Sequence, residues 1–309
     1  MDLQKWELFS KVAECGSLTK AAVMLDTAQS AVSRQINALE KECGGRLFLR
    51  TGRGVKLTEA GERILPRVRA LLAEAEQIGN EVKATAGTPS GTVRLGIIPS
   101  IAYPLLNRLL RQIATQYPQV HLQLFEGSSG QLDEMLNTGR VDIAMLYRYG
   151  KALPPSEIAV AIVDTYLVGP MGDEITSREK INFSELDGLR FVLPCVPNGL
   201  RSTLDQLTRR KGISMAVAIE ANSIPIMKDV VADGGGYTVL PLHVVIDEVQ
   251  TGRLQAARIV SPGIERMITL CTTTSHPLSL AARTVAGMTR RIAEELADQG
   301  AWRQNRKRR

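Results

Sequence analysis

Aromatic residues make up only 4% of the 309 positions, and no apolar run approaches the roughly 20 residues that a membrane-spanning helix needs. The N-terminus carries an amphipathic helical pattern where a secretory signal would have a basic and then an apolar stretch, so a cytoplasmic chain without membrane contact is expected. Cys15, Cys43, Cys195 and Cys271 show neither CxxC spacing nor a Cys/His spacing that would clamp zinc, and they read as buried free thiols. The three histidines, His121, His243 and His276, lie in no spacing that pairs them with a nucleophile or a metal partner. Ser100 follows Gly96-Ile97-Ile98-Pro99 and lacks the GxSxG elbow of a hydrolase. No catalytic residue, metal or cofactor is therefore expected. Overall charge is also uninformative, because five of the six net positive charges belong to the tail residues Arg303, Arg306, Lys307, Arg308 and Arg309. That tail, 302–309, reads as a solvated end.

The length suggests two or three domains. The most informative stretch runs from Ala22 to Leu39. Val32, Ile36 and Leu39 recur at i, i+4 and i+7, one buried face of a helix. Gln29, Ser30, Ser33, Arg34 and Asn37 fall on the opposite face, where short amide, hydroxyl and guanidinium groups suit the reading of base edges in a major groove. Ser17 is placed to cap a shorter helix upstream, and Asp26 or Thr27 to cap this one, which makes a helix-turn-helix; an ordinary pair of helices with a solvated face is the alternative. Downstream, Arg50-Thr51-Gly52-Arg53-Gly54-Val55-Lys56 has two glycines around an arginine, a tight turn whose Arg50, Arg53 and Lys56 can meet a phosphate backbone.

With these parts in order, residues 2 to 61 resemble the winged helix-turn-helix of LysR-type transcriptional regulators without a gap. Between Met1 and Thr58 nine basic residues stand against six acidic ones, a modest local excess, so the expectation of double-stranded DNA as partner rests on geometry and on the resemblance.

From Thr58, placed to cap, a long helix is predicted to about Thr85. Its Ile64, Val68, Leu71, Ala75, Ile78 and Val82 form a heptad seam, and Pro66 predicts a kink. A seam of this length predicts contact with a second copy, with packing on the chain's own domains as the alternative, and the resemblance implies that this segment, within 59–91, is the dimerising linker. Ala86 to Gly91 ends it.

From Thr92 short apolar runs alternate with helical segments in βαβ order, predicting two α/β lobes: about 92–163 with 269–299, and about 164–268, joined near Ile162 to Gly169 and Ile259 to Thr269. The expected fold is thus α/β, an α-dominated winged helix-turn-helix (1–58), a linker helix, and a two-lobed domain (92–301) that resembles the effector-binding half of LysR-type regulators and, more distantly, periplasmic binding proteins. In such lobes a ligand sits at the carboxyl ends of the parallel strands against helix N-termini. The candidates there are Ser100, Ile101, Ser128, Ser129, Asn198, Arg201 and Ser202, with Arg148 either supplying charge or simply solvated; hydroxyls and free N–H groups predict a small anionic metabolite. Each Ser or Gly alone is also ordinary cap chemistry. Phe125 to Gly130 resembles members controlling nitrogen assimilation. Some LysR-type proteins use a cysteine pair as a redox sensor, but Cys195 and Cys271 form no close pair in the sequence. A ligand-responsive regulator is expected, dimeric through the linker helix and tetrameric through a second surface on the effector half.

Overall fold

The computed structural model describes residues 2–52, 54–83, 88–150, 153–154 and 157–302. Arg53, the end of the linker segment at 84–87 and the basic tail from 303 lie outside the described residues.

Three helices, α1 (Leu3–Cys15), α2 (Leu18–Met24) and α3 (Gln29–Cys43), precede a hairpin of β1 (Phe48–Thr51) and β2 (Gly54–Leu57). Their shared core contains Phe9, Val12, Ala21, Val32, Ile36, Leu39 and Phe48. Ser17 caps α2 as its position implies. The expected cap of α3 is corrected: Ala28 occupies that position without a side-chain bond, and Asp26 takes a left-handed turn at φ 47°. The hairpin is held in place by Glu40, whose Oε1 accepts the N–H groups of Leu47 and Phe48 at 2.7 and 2.9 Å. Gly54 lies so close to the α1–α2 turn that a Cβ would collide with the Gly16 carbonyl, and its φ of 142° suits no other residue well.

Helix α4 (Glu59–Lys83) starts where the Thr58 hydroxyl accepts the Gly61 N–H at 3.0 Å, and it runs as one element through Pro66. The heptad seam divides. Ile64 and Val68 pack on the winged domain of their own chain, with Leu65 and Leu72 from outside the seam, whereas Leu71 and Ile78 are exposed.

The remainder forms two α/β lobes. Lobe I contains β3 (Gly91–Ile97), α5 (Pro99–Gln116), β4 (Val120–Glu126), α6 (Ser129–Asn137), β5 (Ile143–Arg148) and β6 (Glu157–Val163). The chain then enters lobe II with β7 (Tyr166–Pro170), β8 (Lys180–Asn182), β9 (Arg190–Leu193), α7 (Gly199–Lys211), β10 (Ala216–Glu220), α8 (Ile224–Ala232), β11 (Thr238–Leu240), α9 (Leu242–Gln250) and β12 (Leu254–Val260). It returns to lobe I with β13 (Arg266–Thr272) and α10 (Leu280–Asp298).

The lobe I sheet has the order β4-β3-β5-β13-β6, parallel among β3, β4 and β5 and antiparallel around β13. Lobe II has the order β11-β7-β12-β8, and β9 joins it through a bridge between Phe191 and Tyr237. The second crossover ends earlier than its predicted limit, since β13 already pairs with β6 at Arg266. Helix α5 breaks at Tyr103 (φ −95°, ψ 134°) because the following Pro104 drives the preceding residue out of helical space. No helix among the described residues is long and apolar enough to cross a membrane.

Candidate DNA interface and inter-lobe site

Burial of Val32, Ile36 and Leu39 orients α3 so that Gln29, Ser30, Arg34 and Asn37 are exposed and Ser33 is half-buried. The α3 N-terminus, lacking a side-chain cap, leaves its first N–H groups to solvent or to an anion. Arg50 on β1 reaches back to the helix, donating from Nη2 to the Ser33 hydroxyl at 3.3 Å. Lys56, paired in register with Leu49 across the hairpin, is exposed. A groove between α3 and the hairpin is lined by Ser33, Asn37, Glu40, Arg46 and Arg50 on its polar side.

In the effector half the candidates separate. Ser100 and Ser129 come together at the carboxyl end of β5: the Ser100 hydroxyl bonds to that of Tyr147 at 3.3 Å, and the Ser129 hydroxyl accepts the Tyr147 N–H at 3.2 Å. Ile101 is fully buried in the lobe I core, with no side chain offered to a ligand. Ser128 forms a complete capping box with Gln131, and Asn198 caps α7 by accepting the Leu200 and Arg201 N–H groups. Ser202 is exposed on α7.

Both candidate cations have their charge matched within the chain. Arg148, neither free nor solvated, holds Asp133 of α6 at 2.7 Å and Glu157 of β6 at 2.5 Å. Burial opposes its charge, but the hydrogen bonds to Glu157 and Asp133 outweigh burial and raise its proton affinity. Arg201 meets Asp205 one turn on at 3.1 Å and Glu220 of β10 at 2.7 Å.

Three residues that the sequence did not single out complete the junction between the lobes. His243, on α9 of lobe II, reaches the Ser100 carbonyl of lobe I with Nε2 at 2.9 Å. A carbonyl only accepts, so Nε2 carries the proton and Nδ1 is a bare lone pair, buried without a partner among the described residues. Burial, with the nearby Arg266, lowers the imidazole to about 4 against a backbone bond that favours the proton. Arg266, 4% exposed, donates from Nε to the Thr165 hydroxyl and from Nη2 to the Val239 carbonyl, both at 3.1 Å, with its guanidinium 5.5 Å above the Tyr147 ring. Burial pushes the Tyr147 phenol up to about 12, with Arg266 and the Ser100 bond opposing. Tyr149 packs so near the start of α7 that a Cβ on Gly199 would lie 2.9 Å from its ring.

His276, by contrast, faces Asp142 at 3.6 Å with both side chains buried, a pairing invisible in the sequence. Ser275 beside it is bonded to the Leu136 and Asn137 carbonyls. All four cysteines are free; Cys271 is buried, its thiol pushed up to about 12 mainly by burial, whereas Cys43 is exposed and Cys15 and Cys195 are intermediate. The described residues contain no cluster that could hold a metal ion.

Comparison with known proteins finds two family matches along the chain. Residues 3–62 match the family of bacterial regulatory helix-turn-helix proteins of lysR type, and residues 86–293 match the LysR substrate binding domain. A "Probable hydrogen peroxide-inducible genes activator" of Streptomyces viridosporus is 31% identical over 87% of this chain and 86% of its own. The nitrogen assimilation regulatory protein nac of Escherichia coli is 28% identical over 91% of this chain and 87% of its own. Among solved structures, a C206 mutant of Corynebacterium glutamicum OxyR superposes with a TM-score of 0.57 at 26% identity, covering 96% of this chain and 94% of that one. The chain therefore belongs to the LysR family of transcriptional regulators, a helix-turn-helix domain joined to a LysR substrate-binding domain, and it is a DNA-binding regulator rather than an enzyme.

Proposed function

We propose that the protein binds a pseudo-palindromic promoter site as a symmetric oligomer and changes its grip on that DNA when a small molecule enters between the two lobes. The observation that carries this reading is the convergence of Ser100, Ser129, Tyr147 and His243 where the lobes meet, while the exposed polar face of α3 lies in a separate domain. Gln29, Ser30, Ser33, Arg34 and Asn37 read base edges; Arg50, Arg53 and Lys56, with the open N-terminus of α3, fix position on phosphates. Leu71, Ala75 and Ile78, the part of the seam not used by the winged domain, meet the same residues of a second copy. A second contact uses the exposed apolar residues on and beside the open sheet edges, Leu110 and Leu124 on lobe I with Ile219 and Ile226 on lobe II, and gives a tetramer.

A ligand between the lobes cannot touch α3, so it acts only through its difference in affinity for assemblies that space the winged domains differently. Cys271, buried and with its thiol pushed up mainly by burial, is a poor nucleophile and does not itself supply peroxide chemistry. Footprinting the promoter with and without the inducer, beside titration of an isolated half-site, tests the reading. A change in footprint length or DNA bend with constant half-site affinity is expected, and Ser100→Ala or Ser129→Ala removes the response while DNA binding persists. An unchanged footprint alongside a large shift in half-site affinity refutes this route.

A further inference from the structure

The arginines of the effector half are not treated alike. Arg148 and Arg201, both only partly buried, are each matched by two carboxylates. Lys228 of α8 is matched by Glu248 of α9 at 2.5 Å. Arg266 is more deeply buried than any of these, yet its partners are a hydroxyl, a peptide carbonyl and the face of a phenol ring, all neutral. No carboxylate among the described residues forms an ion pair with it, and its Nη1 has no partner among them.

Removing a charge from water without a counter-charge is strongly unfavourable, and a guanidinium does not escape by shedding its proton. The three neutral contacts fix the plane of the group without cancelling its charge. It stands at the crossover from lobe II to lobe I, against the Tyr147 that Ser100 and Ser129 flank. At the same junction, Nδ1 of His243 is a buried polar atom with no partner among the described residues. A deeply buried guanidinium with only neutral partners, beside a buried ring nitrogen with none, describes a polar site whose complement comes from outside the chain.

We infer that Arg266 is the counter-charge for the effector, which is a small carboxylate, and that the helix N-termini and the arginines 148 and 201 do not supply that charge. This rests on reading the junction as the effector site, and it deepens that reading from a small molecule to a monoanion. A single unmatched guanidinium balances one negative charge, so a dicarboxylate leaves its second charge to solvent or to neutral donors.

The test needs no knowledge of the natural effector. Acetate, the smallest stable probe of this chemistry after formate, is compared with acetamide, its neutral isostere, at constant ionic strength up to 100 mM on the full-length protein. Acetate raises the unfolding midpoint of the effector half by about 3 °C and acetamide does not, as expected for a weak ligand in excess of its dissociation constant. In Arg266→Gln the difference between the two probes disappears while promoter binding is kept. Arg266→Lys, which retains one charge, keeps part of the preference and carries the comparison if the glutamine variant does not fold. Equal effects of the two probes, no effect of acetate, or an acetate preference that survives in Arg266→Gln each overturn the assignment. If Ser129→Ala abolishes the ligand-dependent footprint while acetate shows no advantage, the inter-lobe site stands and only its selectivity for anions falls.

Discussion

His243 makes acid stability a sensitive reporter of how the two lobes touch. Its ring is held neutral: enclosure lowers it from the ordinary 6.5 to about 4, and nearby Arg266 acts in the same direction. A base whose folded value is depressed binds fewer protons folded than unfolded between those two values. Its contribution is therefore fully present above pH 6.5 and is lost as pH falls toward 4. At pH 5 nearly all unfolded rings are charged and about nine-tenths of folded rings are not, which destabilises the effector half by about 2 kcal/mol relative to pH 7. For a domain of this size that corresponds to a fall of about 4–8 °C in midpoint. His243→Gln retains an N–H for the Ser100 carbonyl but removes the titration, so its difference in midpoint between pH 7 and pH 5 should shrink by that amount. Carboxylates that also titrate, such as Asp173 and Glu185, are common to both proteins and cancel in the comparison. Calorimetric scans at pH 7, 6 and 5 decide it. Equal pH dependence in the two proteins refutes the neutral, enclosed ring.

Arg34→Ala should cost about 1–3 kcal/mol on the operator and less on random DNA, whereas Lys56→Ala should weaken both alike and reduce the salt slope by about one, both read from binding isotherms over a range of salt. Ile78→Glu places a charge on the exposed half of the seam; twofold symmetry counts the loss twice, so sedimentation should show dimer dissociation constants raised by 100-fold or more, about 3 kcal/mol. Gly61→Ala brings a methyl against the Leu47 carbonyl and the Leu57 side chain and should lower the winged domain's stability by about 1–3 kcal/mol, measured by thermal unfolding.

The helix-turn-helix was legible because its information is local: Val32, Ile36 and Leu39 declare a face within three turns, and the glycines of the hairpin mark its turn. The alternation of lobe I was legible for the same reason. What escaped was set by distance along the chain. Arg148 could be read as a solvated charge because Glu157 and Asp133 reach it from a strand beyond β13 and from a helix. Arg201 carried a visible signal, Asp205 one helical turn away, although Glu220 on another strand completes the match. His243 was missed because the helix that carries it, Leu242–Gln250, went unrecognised, and Arg266 because Ser-Pro-Gly-Ile-Glu before it reads as a connector rather than the approach to a strand. The cap of α3 failed for a different reason: a left-handed Asp26 turns the chain before its carboxylate can reach the helix.

The return of β13 to the first lobe also sets an order of events on the ribosome. The strand lies between β5 and β6 and, among the described residues, is the only neighbour that holds β6 in its sheet, yet it is the last of the described strands to be made. At 5–20 residues per second, roughly 6–25 s separate the emergence of β5 from that of β13. Throughout that interval the winged domain is complete, the second lobe is being finished, and the first lobe carries an open edge at Ile143–Arg148 with its apolar side chains uncovered by α10. A chain cut short between Arg148 and Arg266 would thus retain the winged domain while its regulatory half remained a target for chaperones and proteases.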